Sequence, residues 1–176
     1  MIIYFVRHAS AGERVANPKK DEKRPLDADG IQQCGYLGRA LAALNVQPDV
    51  IISSPFKRAT QTASLIGNEI GYEGKLQLDP AMKPEASFSD FRRMLEKYAK
   101  HEAIMVVGHN PSITDFLARI MTKSSSPAQV DFKKGAAACA ETERQGASLK
   151  WFFTPKMARA IQAAAAEKSL PKTSRK

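Results

Sequence analysis

Two of the chain's three histidines stand directly behind short apolar runs. His8 follows residues 2–6 with Arg7 before it, and His109 follows residues 103–107 with only Gly108 between. A third apolar run, residues 50–52, leads into Ser53, Ser54 and then Arg58. Imidazole acts near neutral pH as a nucleophile, as an acid or base, or as a stabiliser of charge. Guanidinium offers a permanently charged fork suited to phosphate oxygens. Together these residue types point to phosphoryl chemistry. Metal binding is the competing use of a histidine pair, but adjacent arginines oppose a cation and the nearby carboxylates follow no ligand spacing. No metal and no cofactor are expected.

Taken singly, each residue has a plainer role. His8 and His109 read as hydrogen-bonded or capping histidines, Arg7 as a strand-end surface charge, and Arg58 as an exposed residue on a first helical turn. Their joint occurrence behind three apolar runs argues for a shared site. His101 reads as a solvated residue near a helix carboxyl end.

The elements that position these residues alternate between strand and helix. After the strand at 2–6 and a polar stretch from 9 to 30, the spacing predicts a helix over 31–44, capped by Asp27 or Asp29. A strand at 50–52 and a helix over 57–70, ended by Gly71, follow. Leu76 and Leu78 mark a short strand, 79–88 a loop, and Ser87 or Ser89 the cap of a helix to about 100. The strand at 103–107 precedes Asn110-Pro111, a polar cap with proline at the first turn of a helix to 121. A loop at 124–127, strands at 136–140 and 148–153, and a helix from Thr154-Pro155 to 166 complete the pattern. Such alternation predicts a three-layer α/β/α sandwich on a mainly parallel central sheet. Its ligand site lies beyond the carboxyl ends of the strands, which is where Arg7, His8, Arg58, His109 and Asn110 fall.

The chain has 176 residues, 43% hydrophobic and 26% charged, which fits one domain with an ordinary core. We assign residues 1–166 to that domain and 167–176 to a flexible basic tail. The opening apolar run is too short for a membrane span or a signal-peptide core. Cys34 and Cys139 have neither metal-ligand nor disulfide-framework spacing, so reduced thiols in a cytoplasmic monomer are expected. The net charge of +9 divides unevenly. Residues 1–88 hold 11 basic and 10 acidic side chains, and residues 89–176 hold 16 and 8. Aromatic platforms and a groove-reading helix are lacking, so a solvated basic face or an anionic substrate explains the charge better than nucleic acid.

Three segments carry a resemblance to a known family: Val6-Arg7-His8-Ala9, the eleven residues from Ser53 to Ala63 (SSPFKRATQTA), and Val107-Gly108-His109-Asn110-Pro111. Arg24-Pro25-Leu26 followed by Gly30 adds a fourth. In this order they resemble the histidine phosphatase superfamily, of phosphoglycerate mutase-like fold. The stretch from Trp151 to Met157 is similar to the end of its small SixA-type branch. The family's usual Arg-His-Gly reads Arg-His-Ala here.

The resemblance implies that His8 is the nucleophile and that Arg7, Arg58 and His109 hold the phosphoryl group, with Arg24 and Asn110 as further substrate contacts. It implies metal-independent in-line displacement through a phosphohistidine intermediate, then hydrolysis by water. Larger relatives place a general acid between the second and third motifs. Here Glu85 is the one acidic candidate in that loop, and a solvated loop carboxylate is its plainer reading. An alcohol leaving group needs a catalytic acid, whereas imidazole, with a conjugate-acid pKa of about 6.5, leaves once protonated. The expectation is a phosphohistidine phosphatase acting on a phosphotransfer or phosphorelay carrier protein. The alternatives are a small-molecule phosphomonoesterase using Glu85 as acid, and a phospho-binding module of little activity.

Overall fold

Alternation along the first strand decides the layers. In β1 (Ile2–Arg7), Ile3 and Phe5 enter one buried apolar cluster while Tyr4 and Val6 enter another. Successive side chains of a strand face opposite ways, so this strand lies between two covering layers. The computed structural model describes residues 1–122, 130–143 and 146–169. It places β2 (Val50–Ser53), β3 (Gln77–Leu78), β4 (Ala103–Gly108), β5 (Ala137–Glu143) and β6 (Gly146–Phe153) with β1 in one sheet, ordered β3-β2-β4-β1-β5-β6.

One face of the sheet is covered by Leu37 and Leu41 of α2 (Ala28–Ala43) and Ala59, Ala63 and Ile66 of α3 (Lys57–Glu69). The other is covered by Phe91 and Met94 of α4 (Phe88–Lys97) and by Ile113, Phe116 and Leu117 of α5 (Ser112–Met121). Each fully buried Leu, Ile or Phe contributes about 1.5–3 kcal/mol by leaving water. The Phe91 and Phe116 rings also stack, with centroids 4.5 Å apart. A last helix, α6 (Pro155–Ser169), lies against α2, where Gln162 Nε2 donates to the Tyr36 carbonyl at 3.1 Å.

The three-layer sandwich is therefore present, on a mixed sheet. β3, β2, β4 and β1 are mutually parallel, whereas β5 runs antiparallel to β1 and β6 antiparallel to β5. Only two residues separate β5 from β6, too few for the crossover that a parallel pair needs. This matters for the site, because the amino end of β5 now sits beside the carboxyl end of β1, with Val6 opposite Ala137.

Local details differ from the sequence pattern in three places. The polar stretch contains a short helix, α1 (Pro18–Glu22), capped by the Asn17 side chain. The 79–88 loop contains a 3₁₀ turn, Pro80–Met82. Asn110 does not cap α5, which starts at Ser112; its Nδ2 donates instead to the Phe132 carbonyl at 3.1 Å, and its Oδ1 accepts from Thr114 Oγ1 at 2.8 Å. Asp27 caps α2 and Ser87 caps α4, each one of the paired alternatives above. The 124–127 loop and most of the basic tail lie outside the described residues.

Gly30 shows how tightly the loop after β1 is held. A Cβ there would stand 2.0 Å from the Ser10 carbonyl oxygen. The same loop is tied down by Asp27, which accepts from Ser10 Oγ at 2.7 Å and from the Gly12 amide at 2.6 Å. Gly30→Ala should therefore lower the unfolding free energy by at least about 1–3 kcal/mol, the range for overpacking. Chemical denaturation checks this, and an unchanged midpoint would show that the loop yields freely.

Candidate active site

The residues meet because three parallel strands end on one edge. Arg7 ends β1 opposite Gly108 of β4, and the His8 amide donates to the Gly108 carbonyl at 2.9 Å. The Ser54 amide, just past β2, donates to the Val107 carbonyl at 2.9 Å. Beside them the turn before β5 folds back, where the Gly135 amide donates to both the Arg7 and His8 carbonyls. The Phe132 carbonyl in that turn accepts from Arg7 NH1 at 2.7 Å, as well as from Asn110. Arg7, His8, Arg24, Arg58, His109 and Asn110 all line one cleft of about 550 Å³.

The two histidines are buried in this cleft, with ring centroids 4.8 Å apart. His8 Nδ1 lies 2.8 Å from the Ala9 carbonyl oxygen, which can only accept. Nδ1 therefore carries the imidazole proton and Nε2 holds the lone pair. His109 has the opposite pattern. Its Nε2 lies 2.9 Å from Ser54 Oγ, a hydroxyl that already accepts the Phe56 amide at 3.3 Å. Ser54 can donate its proton to Nε2, and with that bond made the proton of His109 stands on Nδ1.

Burial pushes the His8 pKa down to about 3, helped by Arg58, Arg7 and Lys134 and opposed by the bond to Ala9. Burial pushes His109 down to about 2, with His8, Arg58, Arg7 and Arg24 adding to it. Both imidazoles are neutral at neutral pH in the open cleft.

Arg58 is only 4% exposed and is held by Asp21, which the sequence pattern did not single out. Its NH1 donates to the Asp21 carbonyl at 2.8 Å and pairs with Asp21 Oδ2 at 3.1 Å. Asp21 Oδ1 accepts from Arg24 Nε at 2.9 Å and from the Val15 amide at 3.1 Å. Arg24 NH1 continues to the Ala11 carbonyl at 2.5 Å. One carboxylate thus aligns two arginines and anchors the strap of residues 12–18 along the cleft.

Three buried nitrogens in lining residues find no partner among the described residues: Arg7 Nε, Arg58 Nε and His109 Nδ1. A buried donor left unpaired costs about 1–3 kcal/mol, and more when charged. The three residues that carry these nitrogens, two guanidiniums and an imidazole, line one cleft, a lining that suits an anion with several oxygens. A neighbouring hollow of about 540 Å³ lies over Asp79, Met94 and Lys97 and has no such donors. Glu85 stands exposed where the two hollows meet. His101 lies outside the cleft, with its ring 5.9 Å from that of Tyr98.

The sequence also passed over Arg14 and Lys134, which line the cleft, and Phe56, whose ring lies 5.1 Å from that of His109 and under Arg58 at 4.9 Å. A signal for α1 was available, since Asn17-Pro18 repeats the cap-plus-proline pattern of Thr154-Pro155. Ala9 in place of glycine causes no strain, because Asn45 is the only non-glycine residue with positive φ among the described residues.

Comparison with known proteins places these features in a wider group. The family model of the histidine phosphatase superfamily (branch 1) matches residues 3–92. Phosphohistidine phosphatase SixA of Escherichia coli is 23% identical over 167 residues, covering 92% of this chain and 100% of SixA. A structure of the protein histidine phosphatase SixA complexed with tungstate superposes with a TM-score of 0.78 at 21% identity, covering 89% of this chain and 98% of that one. The α-ribazole phosphatase of Shigella flexneri superposes with a TM-score of 0.66 at 17% identity, covering 88% and 97%. Both structures share the fold.

Two outcomes follow from the geometry. Histidines with depressed pKa values bind fewer protons folded than unfolded, so stability should fall as the pH drops below about 6.5 and continue falling toward 3. Urea titrations at pH 7 and 5 should show a smaller loss in His8→Asn than in the parent; an equal loss would assign the effect to other groups. Asp21→Asn should keep the Oδ1 and backbone bonds but remove the negative charge and the Oδ2 contact that hold the two arginines, weakening inorganic phosphate binding by about tenfold, the effect of 1.4 kcal/mol. Calorimetry reads this directly, and unchanged affinity would remove Asp21 from the arrangement.

Proposed function

Because this chain belongs to the histidine phosphatase superfamily, branch 1, we propose that it removes phosphoryl groups from histidine side chains of a partner protein. The observation that carries the reading is one cleft lined by Arg7, Arg58 and His109 together with a histidine whose Nε2 holds a lone pair. In the proposed reaction His8 Nε2 attacks phosphorus in line with the leaving nitrogen. Arg7, Arg58 and the Nδ1–H of His109 hold the equatorial oxygens, where stabilising charge is the main task. Arg24 and Asn110 are oriented by bonds to Asp21, Ala11 and Phe132, and each keeps further N–H donors, on Arg24 NH2 and on Asn110 Nδ2, for the substrate. The P–N bond of the substrate breaks, and its imidazole, having taken a proton from solvent on the other ring nitrogen, leaves as the neutral base. Water then cleaves the P–N bond on His8 and releases phosphate. The tungstate complex of SixA, with a tetrahedral oxyanion, supports a site of this kind.

The acids of the cleft among the described residues are Asp21, Glu22 and Glu85. Asp21 is committed to two arginines, and Glu22 and Glu85 are exposed. A leaving group that departs without a buried acid is a better match than an alcohol. The second reading, a small-molecule phosphomonoesterase, is supported by Glu85 at the lip and by the fold shared with α-ribazole phosphatase. We place the reaction in the cytoplasm, where Cys34 and Cys139, both buried free thiols, stay reduced.

The test is turnover, without added metal, of a histidine-phosphorylated carrier domain and of small phosphate esters. Rapid loss of phosphohistidine with slow ester hydrolysis, both abolished in His8→Ala, is the expected result. Glu85→Gln should change the phosphohistidine rate by less than about threefold, since a working general acid contributes about 10²–10⁴-fold. Fast ester turnover that collapses in Glu85→Gln would select the second reading.

A further inference from the structure

The chain's net charge is distributed around the cleft in a way that the linear sequence hides. Four segments, residues 12–24, 56–58, 83–85 and 131–135, each supply one or more of the cleft's lining residues. With Arg7 they make 25 residues, and they hold 11 basic and 5 acidic side chains, a net of +6 out of the chain's +9. Among the acids, Asp21 is paired with Arg24 and Arg58, and Asp131 with Lys133. Glu13, Glu22 and Glu85 remain. Against them stand the exposed Arg14, Lys19, Lys20, Lys23, Lys57 and Lys134, and the half-buried Lys83, none in an ion pair among the described residues. Arg14 and Lys134 line the cleft itself, and Lys83 Nζ lies 5.8 Å from the ring of Phe56, another lining residue. The first half of the chain looks balanced because six of its acids, Asp27, Asp29, Asp49, Glu69, Glu73 and Asp79, lie outside these segments and outside the cleft lining.

A phosphoryl dianion offsets two of these charges and leaves an excess of four. A small phosphate ester has nothing further to offer that excess. We propose that the basic lip is a docking collar for an acidic face on the phosphohistidine-bearing protein, with carboxylates flanking the phosphorylated histidine. The inference rests on the reading above and names its partner by chemistry. Surface charges interact over about 8 Å at physiological salt, so a collar of this width acts on a protein surface as well as on the phosphoryl group. Complementary fields raise association rates by about 10–10³-fold, and salt removes the gain. Nucleic acid is a less suitable occupant, because Phe56 is the lone aromatic residue lining the cleft among the described residues and its ring is already covered by Arg58 and His109.

The test compares two P–N substrates of different size. Phosphoramidate carries the bond without a protein body, and a histidine-phosphorylated phosphotransfer domain carries it with one. The domain is used in two forms, one with Asp and Glu around its phosphohistidine and one with these changed to Asn and Gln. For the acidic form, kcat/KM should fall about tenfold between low and physiological salt, while phosphoramidate changes less than about threefold. The double variant Lys23→Glu, Lys57→Glu, at exposed positions outside the cleft lining itself, should lose about tenfold on the acidic form at low salt and less than about twofold on phosphoramidate. Equal turnover of the two domain forms, indifferent to salt and to charge reversal, overturns the collar and leaves the proposed function standing. Turnover of phosphoramidate with neither domain accepted overturns the proposed function itself. Inhibition by a short DNA duplex stronger than by the acidic domain assigns the lip to nucleic acid and overturns the collar.

Discussion

Burying a guanidinium beside neutral imidazoles is expensive, and the way this chain bears the expense shapes the rest of the site. Arg58 gives up nearly all contact with water, yet one of its donors is left without a partner. Such a group persists only when its other contacts are strong and its position is fixed from several sides. Asp21 provides both, with its carboxylate on NH1 and its backbone carbonyl on the same nitrogen. The carboxylate in turn needs partners on its other oxygen, and Arg24 and the Val15 amide supply them. A five-residue helix capped by Asn17 exists at this place because Asp21 must be presented from a rigid turn. Isolated helices of this length are unstable in water, so tertiary bonds of this kind are what hold it.

The backbone beneath the site obeys the same economy. The turn before β5 uses one carbonyl, that of Phe132, to hold both Arg7 and Asn110. It uses one amide, that of Gly135, to tie two carbonyls of the β1 exit. The loop after β1 is pinned from the opposite side by Asp27 and by the close passage of Gly30. His8 therefore sits between two restrained loops, on a strand buried on both faces. Precision at the reacting atoms is inherited from elements with little freedom to move.

Much of this was legible in the sequence because its strongest signals are local. Apolar runs with residues 7, 8, 53, 54, 58, 108 and 109 behind them gave the strands and the edge on which they end. Asp27, Ser87 and Thr154 announced helix starts through capping chemistry that depends on a few neighbouring residues. What was not legible arises from contacts between distant parts of the chain. Lys134 and Phe132 reach the site from the amino end of an antiparallel strand, and the rule used to find candidates looks only beyond carboxyl ends. Asp21 gains its importance from Arg58, 37 positions later. Asn110 looked like a cap by type and position, but the Phe132 carbonyl competed for its side chain. The charge count by halves failed for a related reason, since folding gathers cations from four separate segments.

The two histidines make the last point about how such a site is specified. They are the same side chain, buried to similar extent in one cleft and depressed in pKa by the same surroundings. One hydrogen-bond partner each makes them different. A backbone carbonyl beside Nδ1 of His8 can only accept, so the lone pair is left at Nε2. A serine hydroxyl beside Nε2 of His109 can donate, so the N–H is left at Nδ1. A base and a donor thus stand side by side without either histidine being charged. Exchanging the partners would exchange the two properties while leaving every ring in place. Ser54, which has no need to touch a ligand, therefore determines as much about this cleft as the imidazole it faces.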